Sequence, residues 1–118
     1  VVGVPVIKAL AKPLGFAQWS PEIAMVAGEF QAPIPAEIEW MIPEIIIVPL
    51  VAWDVRGGRL GYGGGFYDRT LEGLRNRGPV LAIGFAFNAQ QADDLPLEPS
   101  DQLLDMIVTE DRVLTIRG

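Results

Sequence analysis

EIIIVPLVAWDVRGGRLGYGGGFYDRTLEGLRNRGPVLAIGFAF, residues 44–87, changes pattern three times, and those changes decide the fold. It opens on a β-branched run, EIIIVPLVAWD (44–54), that does not alternate with polar residues. That is the pattern of a parallel strand buried on both faces. Pro49 lacks a ladder donor, so the strand is expected at about 44–48, with an irregular exit through Pro49 to Asp54. From Phe66 onward, Phe66, Leu71 and Leu74 fall on one helical stripe, and Gly78 followed by Pro79 stops it. PVLAIGFAF (79–87) then reads as a second buried strand. Strand, glycine loop, helix, strand is a βαβ unit, so the expected fold class is α/β with a mostly parallel sheet and flanking helices.

Outward from this unit the signals are shorter. Residues 1–7 read as a short strand, and residues 102–116 as a strand near 106–109, a turn at Glu110-Asp111 and a closing strand. Between them Pro and Gly recur every few residues, which leaves room for one short helix with Ser20 as N-cap and Pro21 in its first position, ending near Ala27 before Gly28. No repeat or interdomain linker interrupts the 118 residues, which read as a single domain, 1–118.

Composition narrows the chemistry. Half of the residues are apolar and a fifth charged, a globular balance. The longest apolar stretch, residues 41–53, holds a glutamate and two prolines and is shorter than the roughly 20 residues a bilayer helix needs, so no membrane partner is expected. With neither cysteine nor histidine, the chain has no disulfide, no thiolate or imidazole metal site and no Ser-His or Cys-His nucleophile. The lack of cysteine also fits a cytoplasmic setting. The net charge of −6 argues against a nucleic-acid surface. Yet Arg56, Arg59, Arg69, Arg75 and Arg77, five of the nine basic residues, cluster around the glycines, which suits a small anion.

The fourteen residues RGGRLGYGGGFYDR (56–69) include six glycines. Glycine tolerates positive φ and close approach but is entropically costly to order. Between a strand and a helix N-terminus, such a loop presents free N–H groups and the helix dipole to a phosphate. The plainer alternative is a tightly turned surface loop. Known fingerprints do not fit: no Lys follows the glycines as in a Walker loop, and G-x-G-x-x-G from Gly61 fails at Phe66.

VPLVAWDVRGGRLGYGGGFYDRTL resembles the signature of the 5-formyltetrahydrofolate cyclo-ligase (5,10-methenyltetrahydrofolate synthetase) family, with Gly57, Arg59, Leu60, Gly61, Gly63, Gly65, Phe66, Tyr67, Asp68 and Arg69 in register. The resemblance continues through AIGFAFNAQQADDLPLEPSDQLLDMIVTE downstream and PLGFAQWSP and FQAPIP upstream. It implies a Rossmann-like fold of the NagB/RpiA/CoA transferase type. It also implies ATP-dependent conversion of 5-formyltetrahydrofolate to 5,10-methenyltetrahydrofolate with release of ADP and phosphate, assisted by Mg²⁺, as part of one-carbon metabolism. In that reaction the formyl oxygen attacks the γ-phosphate, so no protein nucleophile is needed. The alternative is a non-catalytic nucleotide- or folate-binding fragment of the same fold.

By the same resemblance Arg59, Leu60, Gly61, Tyr62, Gly63, Gly64, Gly65, Phe66, Tyr67 and Arg69 bind ATP, and Tyr62, Gly63, Gly64, Gly65 and Phe66 also border the folate. Arg59 and Tyr67 take the catalytic role, and Asp68 and Asp101 the metal. Each has a plainer reading: Arg59 as a solvated loop arginine, Phe66 or Tyr67 as helix packing, Asp68 as a first-turn acid, Asp101 as a cap after Ser100, Arg69 as the ion-pair partner of Glu72 or Asp68. Trp19, Trp40 and Trp53 are expected in the core or a pocket wall. The family carries a further N-terminal segment, with a Lys/Arg-rich helix at the ATP and a glutamate at the folate. Val1 begins about where that segment leads into the sheet, so the sequence is expected to be N-terminally truncated and to self-associate through the apolar surface this exposes.

Overall fold

The computed structural model describes residues 1–30 and 32–116; Gln31, within the FQAPIP segment, lies outside them. The βαβ unit forms as its pattern requires. Ile45–Val48 (β6) pairs in parallel with Leu81–Phe85 (β9), which pairs in parallel with Met106–Val108 (β10), and Val113–Thr115 (β11) closes the sheet antiparallel to β10. Between β6 and β9 runs the α-helix α1, Phe66–Arg77. Its stripe buries Leu71 completely, with Phe66 and Leu74 against the same core. Arg75 and Arg77 occupy the last turn, where cations suit the dipole, and the Gly78 N–H returns to the Leu74 carbonyl at 3.1 Å.

The N-terminal part is a separate antiparallel layer, in which Val2–Val6 (β1), Gly15–Trp19 (β2) and Trp40–Met41 (β5) pair in the order β1-β2-β5. Thr70 joins this layer to α1, since its hydroxyl donates to the Phe66 carbonyl at 2.6 Å and accepts the Leu14 N–H at 2.8 Å. One core therefore gathers Leu14 and Phe16 with Ile46, Val48, Leu50, Trp53, Leu71, Ala82, Leu104 and Ile107.

Two expectations need correction. Residues 20–27 are not a helix. A single turn closes from the Ile23 N–H to the Ser20 carbonyl at 3.1 Å, and Met25–Ala27 (β3) then pairs antiparallel with Pro33–Pro35 (β4). The apolar residues Ile23 to Ala27 are consecutive rather than spaced by three and four, so no single helical face could be buried. Nor is β6 buried on both faces: Ile46 and Val48 face the core, but Ile45 and Ile47 are 60% and 49% exposed. Only one face of the sheet is covered among the described residues, which is why the same four residues alternate in burial although their sequence does not.

The exit beyond Pro49 is more regular than expected. Ala52–Trp53 (β7) pairs antiparallel with Arg59–Leu60 (β8), so residues 54–58 make a hairpin turn and Arg59 leaves it in an extended, hydrogen-bonded position. Trp53 is fully buried and its indole N–H donates to the Phe87 carbonyl at 3.1 Å, which identifies it as core. Trp40, half exposed, instead carries the Lys8 ammonium 4.5 Å from its ring centre.

Candidate functional site

A cavity of about 900 Å³ opens where the glycine loop, the start of α1, the β3–β4 hairpin and residues 95–101 meet. Every residue assigned a site role from the sequence borders it: Arg59 to Asp68 without a gap, Arg69, and Asp101 from the far side. The glycines permit this arrangement. Gly63 and Gly65 have φ of 94° and 70°, in the left-handed region, and Gly65 hands the chain into α1 without any side-chain cap. Gly65 to Asp68, the first turn of α1, border the cavity, and the first N–H groups of a helix have no intrahelical acceptor, as at an anion site.

Arg59 is not a solvated loop arginine. Its side chain is only 7% exposed, held by a hydrogen bond from Nη1 to the Pro49 carbonyl at 3.0 Å. Nη2 stands 3.9 Å from Asp68 Oδ1, and the guanidinium lies 5.7 Å from the centre of the Tyr67 ring. Its Nε is buried with no acceptor among the described residues. A buried guanidinium N–H without a partner is costly unless a ligand supplies one. Burial raises the Tyr67 phenol above its usual 10.0, against the opposing pull of Arg59, so it is a neutral hydroxyl at physiological pH. Phe66 and Tyr67 both pack on the core and both border the cavity.

The two aspartates converge from different elements. Asp68, in the first turn of α1, accepts the Gln102 N–H at Oδ1 (2.9 Å), and Asp101 accepts the Glu98 N–H at Oδ2 (2.9 Å) while its own N–H returns to the Glu98 carbonyl at 3.0 Å. Asp68 thus holds the first-turn place expected of it, whereas Asp101 closes a turn with Glu98 and caps no helix among the described residues; each keeps one carboxylate oxygen without a protein partner among the described residues. No cluster of three or more acidic, Cys or His side chains able to hold a metal occurs among the described residues. A Mg²⁺ ion asks for less, one or two carboxylates with water and phosphate completing its shell, and this pair fits that demand.

The arginine cluster divides. Arg59 and Arg69 border the cavity, whereas Arg56 pairs with Asp54 (2.7 Å) and Asp94 (2.9 Å), and Arg75 with Asp105 (3.1 Å). Two of the five arginines, Arg56 and Arg75, are therefore held in ion pairs away from the cavity. Arg69 binds neither Glu72 nor Asp68 but donates from Nη1 to the Gly64 carbonyl at 2.8 Å, bracing the loop. Around the cavity Glu29, Asp68, Glu72, Glu98 and Asp101 outnumber the two arginines. A polyanion alone would meet net repulsion there, and one carrying a divalent cation would not.

Two contributions were not visible in the sequence reading. The apolar wall from the β3–β4 hairpin, with Phe30 and Ile34, lies just beyond the helix expected over residues 20–27, in a segment given no site role. The second is Asp54, whose position at the end of an apolar run three residues before a glycine pair is an Asx-turn signal.

The α/β fold brings an uncapped helix N-terminus, a glycine loop and a buried, incompletely paired arginine to one cavity, a chemistry suited to an anionic small molecule. The 5-formyltetrahydrofolate cyclo-ligase family model matches residues 8–110, and the chain belongs to that family. It is 37% identical over 114 residues to the 5-formyltetrahydrofolate cyclo-ligase of Haemophilus influenzae, covering 91% of this chain and 60% of that protein. The Escherichia coli K12 enzyme of the same name is 43% identical over 70 residues, 59% of this chain and 38% of the relative. The NMR structure of Aquifex aeolicus 5,10-methenyltetrahydrofolate synthetase superposes with a TM-score of 0.76 at 33% identity, over 98% of this chain and 58% of that one. The Mycoplasma pneumoniae synthetase does so with a TM-score of 0.66 at 26% identity, over 92% and 56%. The chain thus spans 60% or less of the length of each of these relatives.

Proposed function

We propose that the cavity binds Mg·ATP at the glycine loop and 5-formyltetrahydrofolate beside it, and that the chain serves their conversion to 5,10-methenyltetrahydrofolate, ADP and phosphate. The observation that carries this reading is Arg59: nine-tenths buried, with an unpaired Nε, next to an uncapped helix N-terminus in a cavity of about 900 Å³. That volume lies toward the upper end of small-molecule sites, as two adjacent ligands require.

In this proposal residues 59–67 and Arg69 hold the triphosphate, the backbone N–H groups of the glycine loop binding phosphate oxygens and Arg59 balancing the charge that accumulates as the formyl oxygen attacks the γ-phosphate. The neutral Tyr67 hydroxyl is available as a hydrogen-bond donor to the same group. Tyr62 to Phe66 border the folate. Asp68 and Asp101 would hold Mg²⁺, which when bound neutralises phosphate charge and orients it for in-line transfer. Arg59 keeps the reacting end in a fixed orientation, and no side chain forms a covalent intermediate. The proposal includes a cytoplasmic setting without nucleic-acid or membrane partners. No helix of the described residues is long and apolar enough to cross a membrane.

The test is to incubate the purified chain with 5-formyltetrahydrofolate and Mg·ATP and follow methenyl absorbance and phosphate release. Stoichiometric appearance of both supports the ligase. A folded chain that binds ATP or the folate without turnover would instead establish the binding-fragment reading.

A further inference from the structure

Asp54 follows β7 directly, and its side chain has no solvent exposure. Its carboxylate accepts five hydrogen bonds. Oδ1 takes the N–H groups of Arg56 and Gly58, each at 3.0 Å. Oδ2 takes the Leu95 N–H at 3.1 Å together with Arg56 Nε (3.2 Å) and Nη2 (2.7 Å). Gly58 leads directly into Arg59, and Leu95 and Pro96 begin the segment that carries Asp101 along the opposite wall. Arg56 extends the tie by donating to the Leu95 carbonyl (2.8 Å) and pairing with Asp94 (2.9 Å). A Cβ on Gly58 would meet both carboxylate oxygens at 3.0 Å, so this turn is closed around the carboxylate.

We propose that Asp54 is a positioning residue that sets the spacing between the Arg59 side and the Asp101 side of the cavity. The inference rests on the nucleotide reading above. Neither oxygen is spare: one closes the turn that delivers Arg59, and the other holds the start of the acidic wall. An asparagine is the same shape but has one acceptor, and its NH₂ must face either the Gly58 and Arg56 N–H groups or the Leu95 N–H and guanidinium. It therefore releases one wall from the other. A cation shared between ATP and Asp101 should feel that release more than the fold does.

The experiment is calorimetric titration of the chain, its Asp54→Asn variant and its Arg56→Gln variant with ATP over a series of Mg²⁺ concentrations, each shown to be folded by near-UV circular dichroism. The expected result for Asp54→Asn is ATP affinity at least tenfold weaker, with a severalfold higher Mg²⁺ concentration at half-effect. Arg56→Gln keeps the three backbone N–H bonds and should show a smaller loss in the same two quantities. If Asp54→Asn does not fold, Arg56→Gln carries the test. A folded variant with unchanged ATP affinity, or with weaker ATP binding but an unchanged Mg²⁺ dependence, would overturn the positioning role, since general destabilisation would not move the Mg²⁺ midpoint. Wild-type chain that binds no ATP would overturn the nucleotide reading itself and this inference with it.

Discussion

The Asp68 carboxylate accepts the backbone N–H of Gln102 at 2.9 Å, so the first turn of α1 fixes the residue next to Asp101. Two carboxylates 33 positions apart in sequence, at 68 and 101, thereby border one cavity. Replacing Asp68 by alanine removes a proposed metal oxygen and this tie together. Turnover of 5-formyltetrahydrofolate is expected to fall about 100-fold or more, the scale of losing one charge-stabilising group. Elevated Mg²⁺ should recover part of it, which a Mg²⁺ titration of initial rates would show.

Acid should act through Asp54. Burial pushes its carboxyl up, but the hydrogen bonds from Arg56, Leu95 and Gly58 outweigh that and hold it below the usual 3.8. A group depressed in the folded state contributes stability that is present above its unfolded value and lost as pH falls through the folded one. Urea midpoints should therefore hold from neutrality down to about pH 4 as far as Asp54 is concerned and decline below it. The Asp54→Asn variant should lack that component of the acid decline.

Alkali acts in the opposite sense at Tyr67. Its phenol is raised above 10.0 by burial, so its contribution is complete below pH 10 and lost as pH rises through the folded value. Spectroscopic titration of tyrosinate should show a component that appears above pH 10 and is absent in Tyr67→Phe.

How much of this was legible in the sequence depends on where the hydrogen bonds close. The βαβ unit was readable because β6, α1 and β9 each carry their own periodic or β-branched signal, and the glycine loop because it lies between them. The β3–β4 hairpin was not, because Met25–Ala27 takes its ladder from Pro33–Pro35 and only tertiary pairing reveals the partner. The one-sided burial of β6 was hidden for a related reason, since Ile45 and Ile46 are the same residue type on opposite faces. Arg59 was legible as a site residue, but the pairings of Arg56 with Asp94 and Arg75 with Asp105 span 38 and 30 positions and had no local signal.

Glycines in two settings should respond oppositely to alanine. Gly73 lies inside α1 with nothing within 4 Å of an added Cβ, so Gly73→Ala should stabilise by about 0.5–1 kcal/mol and raise the melting temperature. Gly65, at φ 70° with the Arg69 guanidinium 3.2 Å from an added Cβ, should cost about 1–2 kcal/mol as alanine and loosen ATP.

The uncovered face of the sheet bears on association. Ile45 and Ile47 are exposed on β6, an edge strand whose outer side has no partner among the described residues. Such an edge invites pairing with a second copy. Light scattering should show concentration-dependent association that Ile45→Lys and Ile47→Lys together reduce, without lowering ATP affinity.

If the pocket around Arg59 is a triphosphate site, the equilibrium affinity of the chain for ATP with Mg²⁺, measured beside its Arg59→Ala variant, must show it. Saturable binding by the wild-type chain, weakened at least tenfold in the variant while near-UV circular dichroism is unchanged, is the expected result. Equal affinities in two folded proteins, or no saturable binding by the wild-type chain, would contradict it.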